Sequence, residues 1–174
     1  MRAAPDDVKT LLVMRHATAA WAAGGVDHHR PLTGHGHEEA GAMGRWMTER
    51  GRIPDQIVCS DALRTRQTCV WIGEALGEKA PTPYLDPRLY GADATGALSI
   101  VNETEESTRS LLVIGHMPWV QGLGMRLMSA DSDEDAALDM AQEYPPAGLQ
   151  IFEVDKPWAE LDGRDARLVS FITP

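Results

Sequence analysis

The 174-residue sequence is short of cysteine, of basic charge and of long apolar runs, and each shortage removes a class of protein. Cys59 and Cys69 are its two cysteines, ten positions apart within consecutive apolar stretches. This pattern argues against a disulfide framework and agrees with a reducing compartment. Lys and Arg number 16 against 26 Asp and Glu, for a formal charge of -10. Such a surface disfavours long-range attraction to nucleic acid or to an anionic membrane, so any anion site must be small and locally built. No stretch approaches the roughly 18 apolar residues of a membrane span, and the opening "MRAAPDDVKT" lacks the apolar core of a signal peptide. The expectation is a cytoplasmic, monomeric protein with a single domain over residues 1–174. A chain of this length buries roughly two thirds of its unfolded surface without covalent help.

What is present is an alternation of apolar runs and longer amphipathic stretches. "TLLVMR" (10–15), "QIVCS" (56–60), "SLLVIGH" (110–116), "LQIFEV" (149–154) and "RLVSFI" (167–172) are rich in Val, Ile and Leu, as strands covered on both faces should be. Thr33 can cap a helix from about Gly34 to Arg50, with Ala40, Met43, Trp46 and Met47 near one face and Gly51 as terminator. Residues 62–77 read as a second helix, and 118–128 as a third with Pro118 in its first turn. The expected fold is α/β, a three-layer α/β/α sandwich around a mostly parallel central sheet. The acidic stretch 129–148 reads as a solvated surface insertion.

In open parallel sheets the ligand crevice lies beyond the carboxyl ends of the strands. Arg15 and His16 sit at such an end, and His116 closes a second apolar run before the Pro-started helix. In "CSDALRTRQT" (59–68) a strand closes at Ser60 and Arg64 follows in the first turn of a helix. Taken singly, each of these residues is ordinary: a satisfied histidine at a strand end, a solvated helix charge. Together they are costly to cluster in one place unless an anion compensates them. The planar fork of arginine suits phosphate oxygens, and a helix N-terminus can add a backbone N–H.

With these residues in place, the chain resembles the histidine phosphatase superfamily, the phosphoglycerate mutase-like proteins. The family's Arg-His-Gly is matched by Arg15 and His16, with Ala17 in the third position. Its S-x-x-x-R-x-x-Q-T element is matched by Ser60, Arg64, Gln67 and Thr68, and its second histidine by His116 in "VIGHMP". "RPLTGHG" (30–36) and "LDPRLYGADATGAL" (85–98), together with the short chain, are similar to the small SixA-like phosphohistidine phosphatases. The resemblance implies His16 as a nucleophile that carries the phosphoryl group, with Arg15, Arg64 and His116 holding its oxygens and no cofactor required. Thr18 would add a hydroxyl donor or stabilise the turn. The implied partner is a phosphorylated protein bearing phosphohistidine. A small phosphorylated metabolite is the alternative substrate, and a non-catalytic phosphate-binding module is the alternative class.

Two family features are missing. No amide side chain stands in Trp21–Gly24, where larger members place an asparagine, and "DPRLYGAD" holds Arg88 and Tyr90 where they carry a glutamate acid. Asp93 and Asp61 are candidate substitutes, each also explicable as a turn or capping residue. Four of the six histidines, His28, His29, His35 and His37, crowd into "DHHRPLTGHGH". Their spacing does not match a helical metal pair, and no cysteine or glutamate set completes a tetrahedral site, so a loop at the pocket mouth is expected there rather than a metal.

Overall fold

The computed structural model of the chain describes residues 7–21 and 24–174. The elements run β1 (Lys9–Arg15), α1 (Gly34–Glu49), β2 (Gln56–Cys59), α2 (Leu63–Leu76), β3 (Tyr84–Leu85), α3 (Ala94–Asn102), β4 (Ser110–Gly115), α4 (Trp119–Leu127), α5 (Glu134–Gln142), β5 (Leu149–Val154) and β6 (Arg167–Ile172). The strands form one sheet in the order β3-β2-β4-β1-β5-β6. The first four are mutually parallel; β5 pairs antiparallel with β1, and β6 antiparallel with β5. The expected mostly parallel α/β sandwich is therefore what the chain forms.

Alternation along the strands divides the core into two layers. Leu12 and Met14 of β1, Ile57 and Cys59 of β2, and Leu112 and Ile114 of β4 face α1 and α2, meeting Ala40, Met43, Met47, Cys69 and Ile72. Leu11, Val13, Val58, Leu111 and Val113 face the other way, onto Val101 of α3, Val120 and Leu123 of α4 and Met140 of α5. Both cysteines are buried and free. Among the described residues no helix is long and apolar enough to cross a membrane.

Local chemistry sets the helix ends. The Thr33 hydroxyl accepts the N–H of Gly36, as the sequence suggests, and Gly51 takes a positive φ of 64° just past α1. Asp93 and Asp133 cap α3 and α5 in the same way, through the N–H groups of Gly96 and Ala136. Pro118 is the N-cap residue of α4.

Residues 129–148 depart from expectation. Instead of a solvated insertion they contain α5, whose Ala136 and Met140, four apart on one face, enter the core. The acidic residues occupy the opposite side of that helix. Tyr144 follows, buried, its hydroxyl directed to the carbonyls of Val13 and Gly148. The backbone N–H of Ala147 donates to the carbonyl of His16. The acidic composition concealed a short amphipathic helix and, just after it, a segment that braces the end of β1.

The register fixes where the strands stop. Arg15 lies opposite Gly115, and Cys59 opposite Ile114. The His16 N–H donates to Gly115 O at 3.0 Å and the Ser60 N–H to Ile114 O at 3.1 Å, so three chain segments leave the sheet side by side. Gly115 permits this only because it lacks a side chain: a Cβ there would lie 1.8 Å from Cζ2 of Trp119. Gly115→Ala should therefore cost about 1–3 kcal/mol of unfolding free energy through overpacking. Gly73→Ala, in α2 where an added methyl group would meet nothing within 4 Å, should gain about 0.5–1 kcal/mol. Chemical denaturation of the two variants beside the parent checks both signs.

Candidate active site

His16 follows β1 directly, and its Nδ1 lies 2.7 Å from the carbonyl oxygen of Ala17. A carbonyl only accepts, so Nδ1 carries the proton and Nε2 keeps its lone pair. The ring is held neutral as well as oriented. Its pKa is lowered to about 4, chiefly by burial, with the charges of Arg64, Arg15 and Arg30 adding to the effect and the bond to Ala17 opposing it. Ala17, in place of the family's glycine, is fully buried among Leu12 and Met14, and its N–H donates to Thr68 Oγ1 at 3.1 Å.

Three further residues converge on this imidazole. Arg15, at the tip of β1, donates from one terminal nitrogen to Tyr144 O at 2.7 Å. His116 follows β4, its ring centroid 5.4 Å from that of His16. Its Nε2 lies 2.7 Å from the buried hydroxyl of Ser60, at the end of β2. Burial lowers the pKa of His116 to about 3, with the neighbouring His16 and Arg64 acting in the same direction. Arg64, in the first turn of α2 and 6% exposed, donates to Asp27 O at 2.9 Å and to Asp27 Oδ2 at 3.1 Å.

The nitrogens left over are as informative as those that are bonded. Arg15 Nε, Arg64 Nε and His116 Nδ1 are all buried without a partner. Buried polar groups are normally satisfied; the two arginine Nε–H groups, joined by His116 Nδ1 when its Nε2 accepts from Ser60, suit an acceptor-rich anion beside the neutral imidazole.

The remainder of the second motif is structural. Gln67 accepts the N–H of Leu32 at 2.7 Å and so ties α2 to the segment before α1, while the Thr68 hydroxyl, itself donating to Arg64 O within the helix at 2.7 Å, accepts the N–H of Ala17 and so ties α2 to the end of β1. Thr18 is fixed through its backbone, donating to Glu39 Oε1 at 2.9 Å and accepting from the N–H of Thr33 at 3.0 Å.

The two carboxylates considered as proton donors are both engaged. Asp93 caps α3, accepting from Gly96 at 2.8 Å, and Asp61 lies 2.9 Å from His28 Nε2. Arg88 is tied to Asp86 and Glu103. The crowded histidines take different partners: His28 goes to Asp61, the ring of Tyr90 and, edge-on at 5.9 Å, the ring of His29, while His35 goes to Glu39 and His37 stacks on Trp71 with centroids 4.8 Å apart. Among the described residues no group of three or more His, Cys, Asp or Glu could hold a metal ion.

Sequence reasoning missed Asp27, which lies in a short 3-10 turn (Asp27–His29) after β1. Its carboxylate meets Arg30 at 3.1 Å, Arg64 at 3.1 Å and the Tyr90 hydroxyl at 2.5 Å. The available signal was an acid beginning a segment otherwise filled with basic side chains. The Tyr90 ring packs edge-on against His116 at 5.6 Å.

Comparison with known proteins identifies the family. The family model of the histidine phosphatase superfamily (branch 1) matches residues 11–94, a span that includes Arg15, His16 and Arg64. An uncharacterized protein of Mycobacterium tuberculosis (strain ATCC 25618 / H37Rv) is 34% identical over 162 residues, covering 92% of this chain and 99% of its own. Among solved structures, one from Nakamurella multipartitia, named as a candidate phosphohistidine phosphatase SixA, superposes with a TM-score of 0.85 at 29% identity, over 100% of this chain and 99% of its own. One from Agrobacterium tumefaciens, named likewise, gives 0.76 at 28% identity over 95% and 98%. By this sequence similarity, over a shared fold, the chain belongs to the histidine phosphatase superfamily.

Proposed function

We propose that the protein is a phosphatase that works through a phosphohistidine formed on His16 and removes phosphate from phosphohistidine in a protein. The observation that carries this reading is the set of three unpartnered buried nitrogens, Arg15 Nε, Arg64 Nε and His116 Nδ1, on residues that converge on an imidazole held neutral.

The chemistry follows from that arrangement. His16 Nε2 attacks phosphorus with its lone pair, and the bond from phosphorus to the leaving group breaks with its electrons on the leaving atom. The Nδ1 proton stays on the ring, its positive charge stabilised by Ala17 O. Water then attacks phosphorus from the side the leaving group vacated, the N–P bond breaks, and neutral His16 returns with phosphate released. One displacement becomes two easier ones. Phosphoryl transfer asks mainly for in-line positioning and for stabilisation of charge on three equatorial oxygens. Arg15, Arg64 and His116 supply one donor each, and no step calls on a metal. For His116 to donate from Nδ1, its Nε2 must accept, and the Ser60 hydroxyl at 2.7 Å is placed to donate to it.

The substrate class rests on proton demand. With Asp93 spent on a helix cap and Asp61 on His28, neither carboxylate is free to protonate a leaving group. Phosphohistidine protonated at its other ring nitrogen releases a neutral imidazole whose conjugate acid has a pKa of about 6.5, whereas an alkoxide sits nearer water at about 15.7. A missing general acid forgoes something like 10²- to 10⁴-fold in rate for the alkoxide. The chain's SixA-named structural neighbours support the same reading.

Brief reaction with labelled phosphodonor followed by rapid quench should leave protein-bound phosphate that is acid-labile and base-stable, and absent from His16→Ala. Equal labelling of that variant would remove His16 as nucleophile, and no label at all would favour a binding module. A plot of kcat/KM against leaving-group pKa should be steep, with phosphohistidine peptide and aryl phosphates far ahead of serine and sugar phosphates. A flat profile would point to a general acid and a small phosphorylated metabolite as substrate.

The neutral imidazole has its own signature. An NMR titration of the free protein should show His16 as the Nδ1–H tautomer, gaining its second proton near pH 4. Since an unfolded histidine titrates near 6.5, the unfolded chain binds more protons between these values. Stability contributed here is present above about pH 6.5 and lost as pH falls toward 4. A midpoint between 6 and 7 would show His16 to be no more buried than an ordinary surface histidine.

A further inference from the structure

We infer that, where the cage holds a phosphoryl group as proposed, Asp27 is the residue that positions Arg64 for it. Arg64 is gripped at two points by one residue: a terminal nitrogen on the Asp27 backbone carbonyl at 2.9 Å and the other on its carboxylate at 3.1 Å. A planar guanidinium held at both terminal nitrogens has its plane and its direction fixed. The grip leaves Arg64 Nε, a buried nitrogen without a partner, among the donors free for substrate.

Asp27 is itself clamped from three directions. Oδ2 accepts from the Tyr90 hydroxyl at 2.5 Å in addition to Arg64, and Oδ1 accepts from Arg30 at 3.1 Å. Arg30 in turn donates to Ala20 O at 3.0 Å and lies over the Trp21 ring at 4.3 Å. The hydrogen bond from Tyr90 is the largest of the causes that hold the Asp27 carboxyl well below the usual carboxylate range; burial, next in size, opposes it, and Arg30 and then Arg64 lower it further. The side chain is thus a permanent anion.

A rival role for the same carboxylate is that of an internal competitor, occupying the cage until a phosphoryl group displaces it. Three observations favour the positioning role. The backbone carbonyl shares the grip and would remain if the side chain swung away. The carboxylate has a third anchor, Tyr90, that plays no part in neutralising the cage. Its side chain is also 52% exposed, at the mouth, where water weakens its repulsion of an incoming anion.

The test compares the parent with Asp27→Ala, Asp27→Glu, Arg64→Lys and the Asp27→Ala/Arg64→Lys double variant, using p-nitrophenyl phosphate turnover and orthovanadate affinity by calorimetry. Misplacing one donor of a phosphoryl cage should lower kcat/KM on the order of 10- to 100-fold, mainly in kcat. Asp27→Ala should show that loss together with weaker vanadate binding, and Asp27→Glu should recover part of it. In the Arg64→Lys background, Asp27→Ala should change either quantity by less than about threefold, because a point-like ammonium has no plane to orient. An equal loss in both backgrounds would overturn the assignment, and tighter vanadate binding by Asp27→Ala would replace it with the competitor role. If Asp27→Ala does not fold, Tyr90→Phe, which removes only the hydroxyl on Oδ2, is read by the same criteria. Should the parent fail to turn over phosphate esters while vanadate affinity still falls in Asp27→Ala, the proposed function fails and the positioning role stands.

Discussion

The site depends on keeping one imidazole neutral within a ring of positive charge. Arg15, Arg30 and Arg64 all act on His16, and burial acts with them, so the ring's second proton is expelled well below neutrality. The bond from Nδ1 to Ala17 O then decides which nitrogen keeps its proton, and hence which one is free to react. Arginines so placed repel one another, and the protein balances them locally with Asp27, with the Tyr144 carbonyl and with the charge of Glu39. The net charge of -10 supplies the surrounding field, but these specific acceptors do the balancing.

That balance holds only if the strand ends are level. Residues far apart in sequence, His16, Ser60 and His116, emerge from β1, β2 and β4 within one hydrogen-bonded row, which the parallel register enforces. Around that row the packing is close: the Trp119 ring fills the space beside Gly115, and the Thr18 carbonyl would lie 2.2 Å from any Cβ at Gly36. Such contacts leave the backbone of the site little freedom to relax, which suits chemistry limited by positioning. The α5 segment completes the support from the antiparallel side, where Ala147 binds the carbonyl of His16 and Tyr144 both anchors Arg15 and packs beneath β1.

Some of this was legible in the sequence because it rests on local pattern. The apolar runs predict the five longer strands, since strands buried on both faces have no polar alternative, and Thr33, Gly51 and Pro118 mark helix ends through cap chemistry that acts within four residues. The acidic 129–148 stretch misled because the two apolar positions of α5, Ala136 and Met140, are outnumbered by carboxylates. Helix α3 went unread because its start lies inside a Gly- and Asp-containing stretch that reads as loop.

By itself the sequence determined which residues end the strands and which elements alternate, and so that Arg15, His16, Arg64 and His116 would share one edge of a parallel sheet. Tertiary structure alone decided the rest. Nothing in the order of residues states that Asp27 reaches across 37 positions to Arg64, that Ser60 meets His116 across 56, or that Asp61 is spent on His28. The reason is physical: periodicity and capping are set by near neighbours, whereas an imidazole's tautomer, a guanidinium's direction and an acid's availability are set by whatever the fold brings within about 3 Å of them.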